Sequence, residues 1–167
     1  MSLCSSFMYH TCETFNTDIF IEELQWHRMD NIFVISSFST YLLYLSGNIE
    51  YRFLVHSTLI VGIISQEKDP WNINYSVFPI VFYGVLGFCL RIYNINKHRV
   101  IYNWNYLGIS LALTTVGVHF FAKGLDEFDD YLRFNHSVWH LVIGVSSWYG
   151  FQSTRVEPIQ RKSDKIK

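Results

Sequence analysis

Charge is scarce in this sequence. Asp, Glu, Lys and Arg make up 16% of its 167 residues, against roughly 25% in an ordinary soluble domain, and a net charge of −1 leaves no basic excess that would attract nucleic acid. Cysteine is also sparse. Cys4, Cys12 and Cys89 are scattered and odd in number, which argues against a disulfide framework, and no Cys-x-x-Cys pair offers a zinc knuckle. The first residues carry neither the basic region nor the small-residue cleavage site of a signal peptide. Internal repeats and low-complexity tracts are missing, and the one shift in composition is a basic tail running from Arg155 to Lys167.

What the chain has instead is long apolar runs. Hydrophobic residues make 50% of it, and a bilayer core requires about 20 mostly apolar residues per helix, with roughly 17 as the lower limit. Five stretches meet this length: Asn31–Gly47, Ile49–Ser65, Tyr75–Tyr93, Asn103–Ala122 and Phe134–Gln152. Trp71, Trp104 and Trp148 lie near their ends, as interfacial anchors do. A soluble bundle would need a continuous polar face on most helices, and these stretches show none. The expectation is an all-α, multi-pass transmembrane helix bundle over residues 1–152, a basic cytoplasmic tail over 153–167, and membrane lipids as partners. Met1–Tyr9 is apolar but half the length of a span, and reads either as a short buried helix or as the end of an incomplete one; the incomplete helix is the expectation.

Orientation follows from Lys and Arg in short connections. Lys97 and Arg99 between two spans, and Arg155, Arg161, Lys162, Lys165 and Lys167 in the tail, place both on the cytoplasmic side. The opposite connections are acidic, with Glu13, Asp18, Glu22 and Glu23 in one and Asp126, Glu127, Asp129 and Asp130 in another.

With the helices placed, four ionisable residues fall at one membrane depth, on the non-cytoplasmic side: His10, Asp30, His136 and His140. His136 and His140 are four apart and share a helix face, a spacing that lets two imidazoles hold one metal ion. His10 supplies a third nitrogen, and three protein ligands with an open fourth position are the arrangement of catalytic zinc. Asp30 is placed to take a proton, and Ser6, four residues before His10, to hydrogen-bond water or a developing oxyanion. Each has a plainer reading as well. The histidine pair is a weak signal alone, Asp30 suits a helix N-cap, and Ser6 suits a bond to its own helix backbone. His119, near the outer end of its span, is a rival ligand; His56, nearer the inner end, is not.

The strings Ser6-Phe7-Met8-Tyr9-His10-Thr11-Cys12 and His136-Ser137-Val138-Trp139-His140, with Asp30 at the helix between them, resemble the signature of the CREST superfamily, which contains alkaline ceramidases, adiponectin-receptor-type proteins and myomaker-like transmembrane proteins. The likeness runs from about Met1 to Gln152 and is nearest to the myomaker and post-GPI-attachment lipase (transmembrane protein 8-type) branch. It implies a seven-helix fold of which this chain keeps about six elements, a zinc ion on His10, His136 and His140, and Asp30 and Ser6 beside it.

Two functions are consistent with these residues and their resemblance. One is a zinc-dependent hydrolase of a lipid ester or amide at the outer membrane interface. The other is a non-catalytic membrane protein of fusion or adhesion, as in the myomaker-like branch, with a structural zinc. A receptor role is implied only by the more distant relatives. A transporter is disfavoured, because no charged row lines a span and Gly/Pro interruptions do not recur in paired segments.

Overall fold

The computed structural model describes residues 2–47, 52–94, 98–124 and 134–158. Within them the protein is mostly helical. Helices α1 (Ser2–Phe15), α2 (Glu23–Leu45), α3 (Arg52–Lys68), α4 (Ile73–Tyr93), α5 (Trp104–Gly124) and α6 (Phe134–Ser153) coincide in order with the six apolar segments of the sequence. Glu50, Lys97, the acidic run 126–130 and the basic residues 161–167 lie outside the described residues.

Two helices, α4 and α5, are long and apolar enough to cross a membrane. The other apolar segments extend into polar residues at one end. α2 begins at Glu23 and includes Gln25, His27, Arg28 and Asp30 before its apolar run. Asp30 is therefore not the N-cap that its position suggests. It lies two turns inside the helix and is buried, while the Asp18 side chain accepts the Glu23 backbone N–H at 3.0 Å and satisfies the first turn.

Helix contacts follow a consistent pattern of small and hydroxyl residues inward and large apolar residues outward. α3 buries Thr58, Gly62 and Gln66 and exposes Leu59, Ile60, Ile63 and Ile64. α4 buries Tyr83 and Gly87 and exposes Phe78, Val81, Phe82, Val85 and Phe88. Hydroxyls clasp neighbouring helices: Ser36 to Thr58 at 2.9 Å between α2 and α3, Ser57 to Tyr83 at 2.7 Å between α3 and α4, and Tyr41 to Ser110 at 2.9 Å between α2 and α5. Between α5 and α6 the clasp is reciprocal. Ser110 Oγ donates to the Ser146 carbonyl and Ser146 Oγ to the Ser110 carbonyl, both at 2.8 Å.

One element departs from the all-helical expectation. β1 (His98–Tyr102) pairs antiparallel with β2 (Thr154–Pro158), so the first five residues after α6, expected to be part of a solvated tail, are half of a ribbon. The β-branched residues explain it: Val100 and Val156 are directly opposed, a favourable cross-strand pair. Val100 also presses on Gly47, where φ is +75° and any Cβ would collide with it. Tyr102 Oη donates to the Leu45 carbonyl at 2.8 Å, and Tyr44 Oη to the Phe151 and Thr154 carbonyls at 3.0 and 3.2 Å, which anchors the ribbon at the C-terminal end of α2.

Candidate metal centre

The opposite end of α2 holds the ionisable residues. α1 buries Ser5, Ser6, Tyr9 and Cys12 against it, a stripe at helical spacing that turns His10 toward α6. On α6, His136 and His140 occupy the first and second turns. The three imidazoles meet. The His10 and His136 ring centres are 4.4 Å apart and those of His10 and His140 are 6.3 Å apart. One ring nitrogen from each lies within 4.8 Å of the others.

His136 Nε2 and His140 Nε2 are 3.1 Å apart, and Ser6 Oγ is 3.0 Å from the same His140 nitrogen. A ring nitrogen carries one lone pair or one hydrogen, so His140 Nε2 does not satisfy both partners fully. His10 Nε2 is buried and, among the described residues, has no hydrogen-bond partner, an arrangement that is expensive unless something else occupies the lone pair. A cation among the three nitrogens removes both conflicts. Nitrogens on a tetrahedral zinc with bonds of about 2.0–2.1 Å stand about 3.4 Å apart; the His136–His140 edge is close to this, and the widest edge is looser. The residues present fit the ion.

His10 Nδ1 contacts Glu13 Oε2 at 3.1 Å, one helical turn away. A carboxylate on the far nitrogen fixes the tautomer that leaves Nε2 free to bind metal. Glu13→Gln is expected to weaken metal binding by about 10–100-fold, measured by competition against a chelator of known affinity, with little change in melting temperature of the metal-free protein. Gly124, the last residue of α5, lies against the start of α6 so closely that a Cβ would sit 3.0 Å from the His136 backbone nitrogen. That contact sets how near α5 comes to the histidine pair.

Asp30 Oδ1 is buried and, among the described residues, without a hydrogen-bond partner, and the Ser6 hydroxyl hydrogen-bonds the carboxyl group.

Beside these groups opens a cavity of about 560 Å³. Tyr9, His10, Asp30 and His136 form its polar end, and Val34, Phe38, Val77, Ile80, Val118 and Phe121 its apolar walls. Sequence reasoning identified the five polar residues that converge here. It missed Glu13, His27 and Gly124, although Glu13 is three residues from His10 and its spacing was a usable signal. His119, the rival ligand, is exposed on α5, meets Phe120 edge-on and is not one of the clustered histidines. His56 is exposed on α3 and bonds the Arg52 carbonyl at 2.7 Å.

No curated protein and no solved structure matches the chain. A family model does, over residues 1–141, a stretch that takes in all three clustered histidines together with Ser6 and Asp30. The chain belongs to the family described as protein of unknown function (DUF3522).

Proposed function

We propose that this chain is a multi-pass membrane protein of the CREST type and a zinc-dependent hydrolase of a lipid ester or amide, working at the outer interface with its C-terminus in the cytoplasm. The observation that carries the proposal is the convergence of three imidazole nitrogens, one of them buried and unpartnered among the described residues, beside a largely apolar cavity that His10 and His136 line.

The membrane reading is supported by the inverted distribution of side chains. In water the large exposed faces of α3 and α4 would be a severe liability, whereas in lipid they are the solvent-facing surface, and small and hydroxyl residues are what helix contacts in lipid favour. The orientation is supported by charge. Arg99 and Arg155 sit on the ribbon at one end of α2, and Glu13, Asp18, Glu22 and Glu23 lie at the other, where the histidines are. A 23-residue helix separates these ends by about 34 Å, the thickness of a bilayer core.

A zinc ion held by His10, His136 and His140 supplies Lewis acidity toward a carbonyl and makes water a usable nucleophile near neutral pH. The chain's own residues do the rest. Asp30 Oδ1, buried and without a partner among the described residues, accepts a proton from the attacking water and can return it to the leaving oxygen or nitrogen. Ser6, between Asp30 and His140, spends its single hydroxyl hydrogen on the Asp30 carboxylate and so orients it; once Asp30 has taken the proton, that hydrogen is free to turn to the oxygen that has gained charge. The apolar walls hold hydrocarbon and exclude bulk water, which strengthens each of these interactions.

The test is hydrolysis of fluorescent lipid esters and amides by purified protein whose metal content has been measured. Turnover that depends on zinc, and that His140→Ala abolishes, is the expected result; equal turnover by His140→Ala would sink the proposal. Bound zinc, a melting temperature lowered by chelator and no turnover would instead establish the structural-zinc alternative.

A further inference from the structure

His27 is half-buried on α2, lines the cavity and has no part in the chemistry above. Its ring is held on both faces, by Trp71 at 4.0 Å and Tyr9 at 4.7 Å between ring centres. Only its two nitrogen edges remain for polar contacts, and their roles are fixed by the neighbours.

Asn31 Nδ2 lies 3.0 Å from the Pro70 carbonyl oxygen and 2.9 Å from Gln66 Oε1. A backbone carbonyl only accepts, so the Asn31 atom facing it is the amide nitrogen. The same nitrogen lies 3.3 Å from His27 Nε2. An amide NH₂ offers hydrogens and no acceptor, so His27 Nε2 carries no hydrogen and takes part of one of Asn31's. Gln66 is itself oriented by its Nε2 donating to Ser76 Oγ at 3.2 Å. In the neutral ring the hydrogen is then on Nδ1. That Nδ1 is buried and, among the described residues, meets no acceptor. A fixed N–H donor, clamped between two aromatic rings and left without a partner at the wall of a cavity, is a costly feature for the protein alone, and one that an oxygen of a ligand satisfies.

We propose that His27 is a specificity-determining residue of the cavity, its Nδ1–H donating to a carbonyl oxygen of a long-chain lipid, so that the site selects carbonyl-bearing lipids over chains of the same length that lack the carbonyl. The inference rests on reading the cavity as a lipid site. It asks nothing of the metal. A donor built to meet an oxygen rejects the analogue without it more strongly than apolar walls reject a changed chain length, because the donor is then left unpaired.

The experiment compares a radiolabelled long-chain methyl ketone, which is not hydrolysable, with the ether of equal length. Binding is measured to the full chain in nanodiscs, with empty nanodiscs as background. The wild type is expected to bind the ketone about tenfold more tightly. His27→Phe keeps an aromatic ring between Tyr9 and Trp71 but has no donor; it is expected to bring the ratio close to one while ether binding holds. A wild-type ratio near one overturns the proposal, and this outcome is decisive even where His27→Phe does not fold. A preference that survives in a folded His27→Phe also overturns it. His140→Ala separates the two readings. If it abolishes the preference and His27→Phe does not, the carbonyl is read at the metal centre and the role given to His27 is wrong. If no zinc and no turnover are found but the His27-dependent preference persists, the role of His27 stands and the hydrolase reading falls.

Discussion

The triple variant His10→Ala, His136→Ala, His140→Ala is expected to carry no zinc where the wild type carries one ion per chain, and to hydrolyse lipid esters at least about 10³-fold more slowly. Elemental analysis of protein in detergent reads the first effect, and release of a fluorescent acyl chain reads the second. Asp30→Asn gives the contrasting result. The amide preserves shape and the bond from Ser6 but accepts no proton, so turnover is expected to fall by about 10²–10⁴-fold with zinc retained. This pair of results separates holding the ion from using it. Loss of zinc in Asp30→Asn would make Asp30 a ligand or a support for one, and full activity there would remove it from the mechanism. Asp30 Oδ1 is buried and unpartnered among the described residues, which leaves it free to take the proton, since an oxygen already bonded to the protein is a poorer acceptor.

Gly150→Ala is expected to be among the most damaging single-methyl additions to this fold. Gly150 is buried on α6, and a Cβ there would overlap the hydroxyl end of Tyr41, with the ring carbons Cζ and Cε2 at 2.5 and 2.6 Å. The neighbour is a rigid aromatic ring, so it cannot bend away. Moving it breaks the 2.9 Å bond from Tyr41 to Ser110 and loosens the Tyr41–Phe151 contact, whose ring centres are 5.4 Å apart. Overpacking costs about 1–3 kcal/mol and the lost hydrogen bond about 1 kcal/mol; the better helix propensity of alanine returns up to about 1 kcal/mol. The measurement is thermal unfolding in detergent beside Gly108→Ala, at a glycine whose Cβ would meet nothing within 4 Å. The control is expected to be neutral or slightly stabilising. Equal melting of Gly150→Ala and the wild type would show that α2 and α6 are not packed in this way.

The order and approximate place of all six helices were legible because long apolar runs dominate the sequence, and that signal does not depend on tertiary contacts. Helix ends were not. At α2 the polar residues from Glu23 to Asp30 read as a connection, since their helical state depends on Asp18 capping the first turn and on burial of Asp30 against α1 and α6. The ribbon was missed for a related reason: its strands are five residues each, they are separated by two helices in sequence, and each is uninformative until the other is beside it. The histidine cluster was legible because spacing on one helix and membrane depth across helices are both properties of sequence. His27 escaped notice because the role proposed for it arises from Asn31, Gln66 and Pro70, contacts among α2, α3 and the connection that follows α3, which no pattern along the chain reveals.

The position of the ribbon has a mechanical consequence. α5 and α6 pack chiefly on each other, and they are fastened to the other helices at both ends: by the tyrosine hydroxyls around the ribbon at the C-terminal end of α2, and by the contacts of α1 with His136 and His140 at the other. A ligand that settles beside His136 therefore bears on a bundle already clamped at its far end.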